Sequence, residues 1–123
     1  MRVEFEKGLL GLEHLKNYVI EDIEGNEDFK ILKSLDDNDI SLVITSPFFI
    51  MKDYEIELSQ EVIRNLCINN QEEVMVFSTV TLNSDMKKTT VNLRAPIVIN
   101  KNNATGEQVV LNKECYKIKH PLI

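Results

Sequence analysis

A chain of 123 residues with 43% hydrophobic side chains is sized for a single domain, residues 1–123, whose core needs no disulfide or structural metal. Four glycines and three prolines argue against disorder, and no apolar run approaches the ~20 residues of a membrane-spanning helix. The net charge of −6 is uneven: residues 1–62 carry 15 acidic and 6 basic side chains, residues 63–123 carry 5 and 8. An acidic half repels phosphates, which argues against direct nucleic-acid binding and suits a basic protein partner, although a surface charged only for solubility has the same look.

Met1 to Glu6 has no apolar stretch of the secretory kind, so the expected location is the cytoplasm, with Cys67 and Cys115 as reduced thiols. Phe5 to Glu13 is punctuated by Gly8 and Gly11 and reads as a structured turn that tucks Leu9, Leu10 and Leu12 into the core. Tyr18–Ile23 and Phe29–Lys33 read as paired antiparallel strands across an acidic turn, 24–28. A second acidic turn, Asp36-Asp37-Asn38-Asp39, lacks the glycine and distal glutamate of a calcium loop and reads as solvated. Ile40–Ile44 is the next strand, stopped by Ser46-Pro47.

Phe48-Phe49-Ile50-Met51 is bulky enough to be expected in the core, and any exposed part of it would be a protein-binding patch. Tyr54–Leu58 alternates as a strand, with Tyr54, Ile56 and Leu58 inward and Glu55 and Glu57 outward. Ser59 to Cys67 is the one predicted helix: Ser59 caps it, and Val62, Ile63, Leu66 and Cys67 share a face, making Cys67 a buried packing thiol. Val74–Leu82 is the longest predicted strand and central in its sheet; Lys87–Thr90 is polar linker.

Asn92-Leu93-Arg94-Ala95-Pro96 leads into Ile97-Val98-Ile99-Asn100, a β-branched run apolar on both faces and therefore a strand covered on both. Lys101–Gly106 and Gln108–Leu111 complete a hairpin, and the tail from Tyr116 to Ile123 adds a last strand or arm. Seven or eight short strands and one short helix, about residues 59–67, predict an all-β fold: a small antiparallel barrel or sandwich-like domain.

No catalytic or metal set stands out. His14 and His120 lie at opposite ends, no serine sits in a Gly-x-Ser-x-Gly elbow, and no ligand pair has metal spacing. The expectation is no enzymatic activity and no cofactor.

Five blocks, in order, carry a resemblance. Phe5-x-Lys7-Gly8-Leu9-x-Gly11-x-Glu13, Ser46-Pro47-Phe48 with Tyr54 to Leu58, and Asn92-Leu93-x-Ala95-Pro96-Ile97-Val98-Ile99-Asn100 are followed by Gly106-x-Gln108-Val109-Val110-Leu111 and Tyr116…Lys119-His120-Pro121-Leu122. Together they are similar to the bacterial flagellar assembly factor family FliW. The resemblance implies a β-barrel-like, non-enzymatic protein that binds and antagonises the translational regulator CsrA, a small RNA-binding dimer, and that binds flagellin, so that flagellin synthesis follows export. Two departures stand out: Ser46 replaces the family's usual Asp, and only Met1 to Glu4 precede Phe5 where the family carries roughly one further hairpin. A barrel short of strands, with an edge open to dimerisation of an otherwise monomeric protein, is the expectation from the second.

The partner-binding residues expected on this reading are Pro47, Phe48, Tyr54, Glu55, Glu57, Asn92, Arg94 and Pro96, since prolines and aromatics at strand ends form rigid, partly exposed contacts. The competing expectation is a ligand carrier or enzyme with an apolar pocket lined by Phe48, Phe49, Tyr54 and Phe77.

Overall fold

The architecture follows from how the apolar runs share two sides of one curled sheet. The computed structural model describes residues 1–123. In chain order the elements are β1 (Arg2–Glu4), β2 (Asn17–Ile23), β3 (Asn26–Ser34), β4 (Ser41–Thr45), α1 (Pro47–Ile50), α2 (Gln60–Asn65), β5 (Val74–Thr81), β6 (Thr90–Val91), β7 (Ile97–Asn100), β8 (Thr105–Gln108) and β9 (His120–Pro121). The order β4-β3-β2-β1-β8-β7-β5 closes on itself because β5 also pairs with β4; β6 and β9 continue from β5 as a side flap. The result is a seven-stranded barrel. All its pairings are antiparallel except β1 with β8, which meet in parallel at Glu4 and Thr105.

The barrel interior holds Val3, Phe5, Leu9, Leu15, Tyr18, Leu32, Ile44, Ile97 and Ile99, with Phe5 edge-on to Tyr18 at 5.4 Å between centroids. Two further clusters lie outside the wall. Tyr54, Val80, Val91, Leu93, Leu111 and Tyr116 form one. The other sets Val62 and Leu66 of α2 against Val98. That accounts for β7: Ile97 and Ile99 face the barrel interior, Val98 faces the helix, and all four of its residues are buried. Asn100 ends the strand by donating its side-chain amide to the Leu66 carbonyl at 2.8 Å.

Several expectations are corrected. The barrel is closed, because three residues of β1 suffice to bridge β2 and β8. Leu10 points to solvent although Leu9 is buried, since Gly8 and Gly11, with φ of +69° and +82°, wind the turn tightly. The strand β3 is the longest, at nine residues, because the acidic turn is confined to Glu24-Gly25. Tyr54–Leu58 keeps its in–out alternation but joins no ladder. The hairpin's second strand starts at Thr105 and stops at Gln108, because Pro96 opposite Val109 has no N–H to continue the ladder.

There are two short helices rather than one, and α2 is shorter than its pattern. It stops at Asn65, with Leu66 as its cap, and Cys67 takes a left-handed φ of +53°. The Ile68 N–H donates to Ile63 C=O and the Cys67 N–H to Arg64 C=O. These two bonds are the closing pattern usually built on glycine. Cys67 is therefore exposed, not buried.

Candidate partner-binding site

Between β4 and β5 the chain leaves the barrel and makes an excursion over its outer wall. Ser46 Oγ accepts from the Phe48 N–H at 3.2 Å, and Pro47 occupies the first helical position, where its missing N–H costs nothing. The single turn α1 then aims its aromatics outward: Phe48 is 45% exposed and Phe49 55%. The core expectation for 48–51 is corrected for these two, because α1 is too short to turn every side chain inward; Ile50 and Met51 do pack on the outer cluster. Phe48 lies edge-on to Tyr54 at 5.6 Å and Phe49 edge-on to Phe29 at 6.4 Å, so both rings are braced while solvated.

Tyr54 itself is buried, with its hydroxyl donating to the Leu93 carbonyl at 2.7 Å. Its ring lies 4.6 Å from that of Tyr116, whose hydroxyl accepts from the Glu55 N–H at 2.8 Å. Burial, and then the neighbouring Tyr116, push the Tyr54 hydroxyl well above the ordinary phenol range, so it stays a neutral donor. Glu55 and Glu57 stand on the solvent side of the segment so pinned.

The Asn92–Pro96 stretch is the other half of that attachment. Asn92 Oδ1 accepts from the Arg94 and Ala95 N–H groups at 3.1 and 3.0 Å, closing the turn locally. Arg94 Nε donates to the Tyr116 carbonyl at 2.9 Å and Nη2 to the Glu114 carbonyl at 3.1 Å. Pro96 is buried, and its carbonyl accepts from Val109 N–H at 2.9 Å. The eight expected residues thus divide by exposure. Phe48, Glu55 and Glu57 present side chains to solvent. Pro47, Tyr54 and Pro96 are buried, while Asn92 and Arg94 are half-buried and spend their polar atoms on backbone.

Tyr116 ties the two halves together, and its sequence position in a lysine-rich tail gave no hint of that role. Phe48, Phe49, Tyr54 and Phe77 do not share one pocket: the first two face solvent, Tyr54 is spent on Leu93, and Phe77 packs against the barrel core. The carrier or enzyme reading loses its cavity. Two open grooves do flank the Glu55–Leu58 segment. One, of about 490 Å³, runs between it and Val109–Lys113; the other, of about 580 Å³, runs between it and Val74 and Val76 of β5.

A family model described as FliW protein matches residues 1–122. The chain belongs to the FliW family. It is 50% identical over 120 residues to the flagellar assembly factor FliW of Clostridium botulinum strain Langeland, covering 98% of this chain and 84% of that one. The FliW of Clostridium tetani strain Massachusetts is 49% identical over 120 residues, with coverage of 98% and 83%. A crystal structure of the flagellar assembly factor FliW superposes with a TM-score of 0.90 at 34% identity, over 99% of this chain and 85% of that one. Membership accounts for the closed barrel. The relatives are named as flagellar assembly factors. No helix is long and apolar enough to cross a membrane.

Proposed function

We propose that this chain is a two-partner binding factor that acts in the cytoplasm: it binds and antagonises the translational regulator CsrA, binds flagellin, and exchanges one for the other as flagellin is exported. What carries the reading is the FliW match along residues 1–122. The braced, solvated Phe48, which shares a groove with Glu57, and the exposed Glu55 nearby in sequence add the physical means. An aromatic held rigid before contact loses little entropy on docking. Exposed carboxylates on the same segment favour a basic partner surface and repel RNA phosphates from that surface without filling the groove that binds them. The factor works as a monomer on this reading.

The deciding experiment is a pull-down with purified CsrA and purified flagellin, each offered as competitor of the other. Capture of both, with mutual displacement, is the expected result; capture of neither overturns the proposal. The electrostatic component is separable: reversing Glu55 and Glu57 to lysine should weaken CsrA capture about tenfold and flatten its salt dependence.

A further inference from the structure

Charge divides along the fold. The flap of β6 and β9 with its adjoining loops, residues 82–94 and 112–123, holds six basic and two acidic side chains, a net of +4 that leaves −10 for the rest of the chain and −6 in all. Arg94 is spent on backbone carbonyls, and Lys113 lies over the Tyr116 ring at 5.6 Å. Lys87, Lys88, Lys117 and Lys119 remain. All four are exposed, and none has a carboxylate within ion-pair distance, since the ion pairs of this protein involve only Lys7 and Lys30 among its lysines.

The ladder places them. Thr90 pairs with Pro121 and Val91 with His120, and the Leu122 N–H donates to the Thr89 carbonyl at 3.0 Å. Val91 and Leu122 pack on the outer cluster, so Thr90 and Pro121 face the opposite way. Lys87 and Lys88 come just before β6, and Lys117 and Lys119 just before β9. Because these strands are antiparallel, the two lysine pairs stand at opposite ends of the flap. The register carried one step sets Lys119 opposite Asn92, four residues from Lys88 and roughly 13 Å along an extended chain. Each pair adjoins an exposed apolar side chain, Met86 at 54% and Ile118 at 56%, so a partner gains apolar contact as well as charge.

We propose that the flap is a docking surface for a short acidic segment of a partner protein, with carboxylates toward both ends and apolar side chains between them. Charge complementarity selects it: four unpaired cations attract carboxylates, while the acidic remainder of the chain repels a longer polyanion. Nucleic acid is disfavoured on that count and on a second. Tyr116 is the one aromatic residue of the flap and is buried, which leaves bases nothing to stack on. Strand addition is not the means of attachment. The Leu122 bond turns the even-numbered backbone positions of β9 toward β6, and Pro121, on the free edge, has no N–H to offer. Recognition therefore runs through side chains. It needs neither CsrA nor flagellin, so the inference stands or falls apart from the two-partner reading.

The test uses the full chain and a synthetic probe, acetyl-Glu-Glu-Leu-Ser-Leu-Glu-Glu-amide. Nuclear magnetic resonance titration should give saturable shifts centred on residues 86–88 and 117–119, and an analogue with lysine for glutamate should give none there. Lys88→Glu with Lys119→Glu, both at exposed positions, should weaken the probe about tenfold. Lys33→Glu with Lys101→Glu makes the same change of net charge on exposed residues outside the flap and should leave affinity within about twofold. Ile118→Ser should weaken binding about fivefold through lost apolar contact, with the salt dependence unchanged. Absence of saturable binding, shifts centred elsewhere, an equal loss in the Lys33 and Lys101 variant, or equal flap shifts with an oligothymidylate or with phosphatidylglycerol vesicles would each overturn the proposal.

Discussion

The hydroxyl of Tyr54 donates to the carbonyl of Leu93 at 2.7 Å, across 39 positions of sequence, and fastens the outer excursion to the barrel wall. Tyr54→Phe removes the donor, keeps the ring and leaves a buried carbonyl unpaired. We expect a loss of about 1–3 kcal/mol in urea unfolding with an unchanged slope. The phenol is held neutral far into alkaline pH, so the loss should not vary between pH 6 and 9.

Gly106 sits where β8 passes over Phe5. A Cβ at this position would collide with the Phe5 ring and come within 3.1 Å of Ile99 Cγ1, both side chains being fully buried. Gly106→Ala should cost about 1–3 kcal/mol by overpacking, read as a lowered thermal midpoint. Restoring space with Phe5→Leu in the same chain should recover part of the loss, whereas two independent lesions would add.

Cys67 occupies the left-handed position that ends α2, with φ +53°. Glycine reaches that conformation without the Cβ clash. Cys67→Gly should stabilise the chain by about 1 kcal/mol in urea unfolding, the scale of the left-handed penalty.

Asp36 accepts the backbone N–H of Asn17 and of Lys16, and the Asn17 side chain, which together hold its carboxyl below the usual carboxylate range. A carboxyl with a depressed folded-state pKa contributes stability above its unfolded value, near 4, and loses it as pH falls through the folded value. Acid titration of the thermal midpoint should therefore show a fall beginning near pH 4 that is smaller in Asp36→Asn, where this position is already uncharged. Lys30 acts on Asp22 in the same direction, so the fall in Asp36→Asn is reduced, not abolished.

Much of this architecture was legible because burial on two faces leaves a pattern that one segment carries alone. Ile97-Val98-Ile99 shows it: the run says only that both sides are covered, and both are, one by the barrel and one by α2. What stayed hidden was set by partners distant in sequence. Tyr54–Leu58 has the alternation of a strand, yet alternation reports which side chains are buried, not whether a neighbour accepts the backbone. The exposure of Phe48 and Phe49 turns on α1 being a single turn, and that follows from how far Pro47 must carry the chain from β4. Cys67 lies on the apolar face by spacing and outside it by the one residue at which the helix ends. The attachment of Tyr54 and Asn92–Pro96 to each other runs through Tyr116, which no local pattern ties to either.

The parallel meeting of Glu4 with Thr105 joins positions about a hundred residues apart. Every other contact around the ring links strands that leave the ribosome closer together. The first strand made can pair with β2 at once, but its other edge stays open until Thr105 has emerged, and until then Val3 and Phe5 have no completed wall to bury against. During synthesis the nascent barrel is an open, curled sheet with its earliest segment at a free edge. Its closure is the step at which the whole interior becomes dry at once.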